Sequence, residues 1–189
     1  VTESRLIYPP LRLLDCSPVS DGAAAVLLAP LADAHQYSSS PVEIIASSAT
    51  TDRFRMADRS NPLHLQAAAR SAQQAFRVAG ITRQDVSFFE LHDAFSIMAC
   101  LLLEADGFAA PGRGWELAAS AKIGLQGSIP IATMGGLKAR GHPIGATALY
   151  QACEIVQQLT GQAGENQLDN PQVAMMQSVG GAGTTILTH

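Results

Sequence analysis

The chain has little charge, and the charge it has gathers into no patch. Only 15% of its 189 residues are Asp, Glu, Lys or Arg, and the formal net charge is -4 with no basic cluster. A nucleic-acid partner is therefore not expected, because such partners need Lys and Arg massed on one face. Long apolar runs are absent as well: no uninterrupted segment approaches the roughly 20 residues that cross a bilayer, so the chain reads as soluble with no membrane partner. The three cysteines, Cys16, Cys100 and Cys153, show neither CxxC nor metal-ligand spacing. That excludes a disulfide framework, predicts no metal site and fits a reducing, cytoplasmic compartment. Repeats and low-complexity segments are missing. The opening "VTESRLIYPP" is neither signal-like nor transit-like, and the closing "TILTH" carries no peroxisomal address. The expectation is the tail of a longer protein.

What is present is apolar and patterned. Hydrophobic residues make up 47% of the chain, enough for a real core and for an interface besides. "GAAAVLLAP", Gly22 to Pro30, reads as a buried strand. "YSSSP" from Tyr37 is loop composition and the expected domain boundary, and "VEIIASSA" is the next strand. Asn61 and Pro62 read as a helix start, with Ala68, Ala72, Ala75, Phe76 and Ala79 at helical spacing and Gly80 as the stop. "VSFFEL" is a strand and "AFSIMACLLLEAD" a largely buried helix. Residues Phe108 to Gly136 read as a long ordered loop. A second amphipathic helix is predicted from Pro143 to Thr160, with Ile144, Ala148, Leu149, Ala152, Ile155, Val156 and Leu159 as its inward stripe. "QVAMMQSV" and "TTILTH" read as a hairpin. Strands alternating with helices predict an α/β layered domain with a mixed sheet.

Three short stretches carry candidate chemistry, each at a strand end or helix start, where ligands bind in α/β sheets. In "ELHDAF", His92 reads either as a functional imidazole or as a turn residue beside a helix-capping Asp93. In "GHPIGAT", His142 reads either as a base or as part of a packed helix start. A helix amino terminus there would disfavour imidazolium and keep His142 neutral. In "QSVGGAG", glycine N–H groups read either as an oxyanion hole or as a plain hairpin turn. Lys138 and Arg140 read as solvated loop charges, with phosphate contact as the alternative.

Taken in order, "CSPVSDGAAAVLL", "ELHDAF", "GGLKARGHPIGAT" and "QSVGGAG" resemble the carboxyl-terminal half of the thiolase superfamily, over nearly the whole chain. The HDxF form is similar to the sterol-carrier-protein-X type and to archaeal and bacterial acetyl-CoA acetyltransferases. The resemblance implies a layered βαβαβαββ half with a mixed five-stranded sheet and helices on its faces. Residues 1–37 would end the amino-terminal half, and residues 38–189 would form the carboxyl-terminal domain. It also implies roles. His142 matches the histidine that activates a nucleophilic cysteine, His92 matches its oxyanion-hole partner, and Gly180 matches the glycine whose N–H forms a second hole.

The departures are equally specific. The nucleophile belongs to the amino-terminal half, which is not in this chain. The acid/base cysteine of the CxG motif is Ser178 here, a poor substitute because a hydroxyl ionises far above neutrality. The alternative cysteine of the HDCF form is Ala94. Thr133 and Met134 stand where the family has a polar stretch, and Ala148 replaces a frequent glycine.

The resemblance therefore implies an acyltransferase acting on coenzyme A thioesters by Claisen condensation or thiolysis. It would be inactive without its missing half, hold no permanent cofactor and form a homo-oligomer such as a homodimer. Two alternatives stand beside it: a thiolase-like aldolase on CoA thioesters with an OB-fold acyl-CoA-binding partner, and a non-catalytic scaffold subunit.

Overall fold

The computed structural model describes residues 1–189. Leu6–Tyr8 (β1) and Leu11–Arg12 (β2) form a small antiparallel ribbon apart from the main sheet. The main sheet holds Ser48–Thr51 (β3), Phe88–Glu90 (β4), Ala174–Gly180 (β5) and Thr185–Thr188 (β6). Their spatial order is β3-β6-β5-β4; β4 and β5 run parallel, and β6 is antiparallel to both its neighbours. The four-stranded sheet and the small ribbon are roughly consistent with the expected five strands, and Ile131 adds one isolated bridge beside β4. There the Phe89 N–H donates to the Pro130 carbonyl at 2.9 Å, and the Ala132 N–H donates to the Phe89 carbonyl at 3.1 Å. The sheet is mixed, as the sequence predicts, and the expected hairpin is β5–β6.

The alanine-rich periodicity forms Gln66–Ala79 (α1), which buries Ala67, Ala68, Ser71, Ala72 and Ala75 and packs on β3 and β6. Small side chains let the helix lie close to the strands. The helix starts four residues later than Asn61 and Pro62 suggest, because the Asn61 side chain closes a local turn by accepting from the Leu63 N–H at 3.0 Å. Ser96–Ala105 (α2) buries Leu102 and Leu103. With Phe89, Leu91, Met175 and Ile186 they centre the core between α1, α2 and the sheet. The stretch expected to be loop holds Gly114–Ala119 (α3), and Gly136–Arg140 (α4) follows it. No helix is long and apolar enough to cross a membrane.

Three expectations are corrected. Gly22–Pro30 is not a buried strand: it pairs with no strand of this chain, and Leu27 and Leu28 are 71% and 73% exposed. The strand expected at Val42–Ala49 forms only from Ser48, leaving Ile44 and Ile45 exposed. The third correction concerns Thr147–Leu159 (α5), which packs on β5 and β4. Its apolar stripe does not face inward, and Ile144, Leu149 and Val156 are exposed. The buried residues are polar, Thr147, Gln151, Glu154 and Gln158, spaced on one helical face. That inversion is tolerable because each of these side chains makes at least one hydrogen bond, although Gln151 Oε1 has no partner. Gln151 Nε2 donates to the Glu90 carbonyl at 2.9 Å, and Gln158 Nε2 donates to the Asn166 carbonyl at 2.8 Å.

Candidate active site

β4 ends at Glu90, and the chain leaves the sheet through Leu91, His92 and Asp93. Glu90 pairs with Met176 on the parallel neighbour β5. Two residues beyond this pair come His92, in the loop after β4, and Ser178, still on β5, so both motifs lie towards the carboxyl edge of the sheet, where open α/β sheets bind ligands. The third motif arrives from the turn between α4 and α5. Residues 16–20 thread between the loops and tie them together. The Ser17 N–H donates to the Ala94 carbonyl at 2.8 Å, and the His142 N–H donates to the Pro18 carbonyl at 2.8 Å.

The result brings two imidazoles into contact. The rings of His92 and His142 lie edge to face, centroids 5.0 Å apart at 82°. His92 is buried, 7% exposed, and its Nδ1 has no hydrogen-bond partner. Burial first, then the neighbouring His142 and the Arg140 cation, push its pKa down to about 4. His142 is shifted down as well, by burial and Arg140, with Asp93 opposing. Both rings are therefore neutral at pH 7. The expected neutrality of His142 has a different cause from the one the sequence suggests. α5 begins at Thr147, and Pro143 lies in the turn before it, so His142 is not at the helix start.

The tautomer of His142 follows from its partner. Its Nδ1 lies 2.6 Å from Thr147 Oγ1, and that hydroxyl lies 3.1 Å from the Pro143 carbonyl. A carbonyl only accepts, so the Thr147 hydroxyl donates to Pro143 and accepts from His142 Nδ1–H. The proton sits on Nδ1, and Nε2 keeps its lone pair: the arrangement of a base.

Asp93 caps α4 rather than the helix that follows it in sequence. Its Oδ1 accepts from the Leu137 N–H at 2.8 Å. Gly136, at φ 64°, lies against this carboxylate, and an added Cβ would sit 2.6 Å from Oδ1. Gly141, at φ 89°, leaves the same kind of room for Ser20. These two glycines are what let the loops approach.

Behind the histidines lies a buried polar layer that sequence reasoning missed. Glu90 Oε1 accepts from the Thr133 N–H at 2.8 Å and from Thr133 Oγ1 at 2.9 Å. This gives Thr133 a use in a stretch that otherwise departs from the family pattern. Glu90 is 1% exposed; burial and the Glu154 carboxylate raise its pKa well above the usual carboxylate range. It keeps its proton at neutral pH, which gives Oε2, with no donor facing it, a hydrogen to donate. Arg140 is not a solvated loop charge: it pairs with Glu154, Nε to Oε1 at 2.6 Å. The signal available in the sequence was the i, i+4, i+7, i+11 spacing of Thr147, Gln151, Glu154 and Gln158.

Ser178 and Gly180 lie on β5 opposite Leu187 and Thr185 of β6. Ser178 is half-buried and Gly180, the last residue of the strand, is exposed. Neither hydrogen-bonds to the histidine pair. A hollow of about 730 Å³ lies elsewhere, among Ala109, Arg113, Glu116 and Lys122 beside α3, and includes no motif residue. No group of three or more His, Cys, Asp or Glu is arranged to hold a metal.

Comparison with known proteins agrees with the motif order. The chain is 41% identical over 189 residues to the acetyl-CoA acetyltransferase of Methanothermobacter thermautotrophicus, covering all of this chain and 49% of that protein. It is 34% identical to human sterol carrier protein 2, covering all of this chain and 35% of that protein. The chain thus spans half or less of the length of these relatives. Among solved structures it superposes on the Ltp2-ChsH2(DUF35) aldolase with a TM-score of 0.80 at 20% identity, covering 99% of this chain and 49% of that one, which shows a shared fold. The thiolase C-terminal domain-like family model matches residues 48–189, and the chain belongs to that family.

Proposed function

We propose that this chain is the carboxyl-terminal part of a thiolase-like acyltransferase that makes or breaks a carbon–carbon bond between acyl groups carried on coenzyme A. One observation carries the reading: two neutral imidazoles meet at the carboxyl edge of the sheet, and His142 presents an unprotonated Nε2. Nε2 takes the thiol proton of a cysteine on the amino-terminal half. The thiolate attacks the thioester carbonyl, coenzyme A leaves as its thiolate, and the acyl group rests on the cysteine while Nε2 of His142 keeps the proton it took. A base of the amino-terminal half takes the α-proton of a second acyl-CoA, and His142 Nε2–H and His92 donate to the enolate oxygen. That enolate attacks the acyl-enzyme, forming the new carbon–carbon bond and expelling the cysteine thiolate, which takes its proton back from His142. The Gly180 N–H supports the oxyanion on the acyl-enzyme. Fixed donors of this kind contribute about 3 to 4 kcal/mol each to lowering the barrier.

The same reading accounts for the exposed apolar surfaces. Leu27, Leu28, Ile144, Leu149 and Val156 lie on residues 22–30 and on the outer side of α5 and its approach. They suit burial against the amino-terminal half, whose end residues 1–37 would supply, with 38–189 as the carboxyl-terminal domain. All three cysteines are unpaired, which supports a reducing, cytoplasmic setting, and we assign the whole protein to a homodimer. The coenzyme A thioester is its substrate, with no permanent cofactor.

A second reading, a retro-aldol on CoA thioesters with an OB-fold partner, is favoured by the absence of a thiol at Ala94 and Ser178. The shared fold with a protein named as an aldolase supports keeping it. The test is to pair the chain with its amino-terminal half and assay thiolysis, condensation and retro-aldol cleavage, with and without His142→Ala. Loss of one of these activities in the variant supports the corresponding reading. Thiolysis by the isolated chain that survives His142→Ala would sink the acyltransferase reading. Inactivity in every assay would leave the scaffold.

A further inference from the structure

The side chain of Arg140 is held more tightly than any other cation near the site. Its Nε donates to Glu154 Oε1 at 2.6 Å, and Nη2 lies 3.5 Å from Oε2, so the guanidinium faces the carboxylate with both edges. Nη1 donates to the Gly141 carbonyl at 3.3 Å, and the guanidinium carbon lies 5.3 Å from the centroid of the Tyr150 ring. The two charged side chains are 15% and 7% exposed. Gly141 immediately precedes His142, while Glu154 and Tyr150 belong to α5. We propose that Arg140 is the positioning residue of the histidine pair: it pins the turn carrying His142 to α5 and fixes one positive charge beside both imidazoles.

The alternative, an ordinary stabilising ion pair, explains less. A buried pair of this kind is costly to desolvate, and apolar packing serves stability at least as well. Here the ion pair sits on a face that also carries Gln151 and Thr147, and Thr147 is the residue that fixes the His142 tautomer. Glu154 has protonated Glu90 on its other side, so the layer of Glu90, Glu154 and Arg140 carries no net charge. The field at the histidines is set by what faces them. From α4 comes Arg140; from the loop after β4 come Asp93 and the other imidazole. From α5 come Thr147 and the Arg140-bound Glu154, and residues 16–20 bring no charged side chain. A lysine at 140 would keep the charge and lose the fork; a glutamine would keep a donor and lose the charge.

The kinetic consequence rests on the acyltransferase reading; the titration does not. The test is a histidine NMR titration of the chain joined to its amino-terminal half, in wild type, Arg140→Gln and Arg140→Lys, with pH profiles of kcat/KM. In wild type both His92 and His142 titrate below the ordinary value of about 6.5. Arg140→Gln raises the His142 midpoint by about half a pH unit or more, since imidazolium is no longer opposed by a cation, while Arg140→Lys keeps it near wild type. The acid limb of kcat/KM moves up with it, a loss that approaches about threefold at pH values well below both midpoints. An unmoved midpoint in Arg140→Gln, equal shifts in both variants, or a wild-type imidazole of this pair titrating at 6.5 or above would overturn the proposal. The wild-type arm decides even if a variant does not fold. Midpoints that move as expected while the kinetic limb stays still would uphold the role of Arg140 and remove His142 as the base.

Discussion

His92 and His142, fifty positions apart, meet edge to face with ring centroids 5.0 Å apart. Neither ring is placed by its own motif alone. His92 is carried by the end of β4 and His142 by the turn before α5, and residues 16–20 bond to both loops. Two neutral imidazoles this close tolerate one another, whereas two imidazolium ions would not. At neutral pH both rings are therefore uncharged.

Thr147 fixes which nitrogen of His142 keeps its lone pair, so on the acyltransferase reading its hydroxyl matters more than its volume. Thr147→Val is expected to lower kcat of the complete enzyme roughly tenfold with little change in KM for the acyl-CoA, from the loss of one hydrogen bond that holds the tautomer. Thr147→Ser should restore most of the rate. A valine variant with wild-type kcat would show that the tautomer is held some other way.

The missing acid/base thiol can be put back. Ala94 is 9% exposed and lies in the loop between His92 and α2, while Ser178 is half-buried on β5. If the frame is that of a thiolase, Ala94→Cys or Ser178→Cys should raise thiolysis at least about tenfold, at the low end of what a positioned acid or base contributes. Steady-state assays with a 3-ketoacyl-CoA would show it. No gain in either variant, with the fold intact by circular dichroism, would favour the aldolase reading.

Gly136 is where the two motif loops come closest. An alanine there would need φ near 64° and would place its Cβ 2.6 Å from Asp93 Oδ1. Gly136→Ala should therefore cost about 2 kcal/mol or more and shift the thermal midpoint down. The same substitution at Gly80, which also has positive φ but nothing within 4 Å, should cost less. Equal midpoints for the two variants would show that the Asp93 contact is unimportant.

Asp106 makes stability depend on pH in a defined direction. It is fully buried at the end of α2, and burial pushes its pKa up to about 8, against a lowering contribution from its hydrogen bond to Gln177 at 3.2 Å. The folded state thus holds a proton that the unfolded state releases above about 4. Stability falls as pH rises from there towards 8. Asp106→Asn removes that dependence, and its amide oxygen can still accept from Gln177 Nε2. The variant should match wild type near pH 4 and exceed it by on the order of 1–3 kcal/mol at pH 8, read by denaturant unfolding at the two pH values. An advantage that does not grow with pH would mean Asp106 is ionised in the fold.

Much of the frame was legible because it is local. The alanine spacing of α1, the hairpin of β5 and β6, and the strand ending in Glu90 all follow from short-range period and turn chemistry. The readings that failed depended on partners. Gly22–Pro30 has strand composition, yet a buried strand needs neighbours on both sides, and this chain offers none. By hydrophobicity, the usual guide, the apolar side of α5 reads as its inward side. Its polar side is buried instead because Gln151, Glu154 and Gln158 each find a fixed partner.

The sequence by itself determined the family, the mixed α/β frame, the two histidines and the lack of a thiol at Ala94 and Ser178, since all of these are carried by residue identity and order. Only the tertiary structure decided that the histidines touch, which nitrogen of His142 is free, and that Arg140 is an anchored charge rather than a solvated one. These depend on which groups share a small volume away from water. There, burial and one or two hydrogen bonds decide protonation, and no spacing along the chain records them.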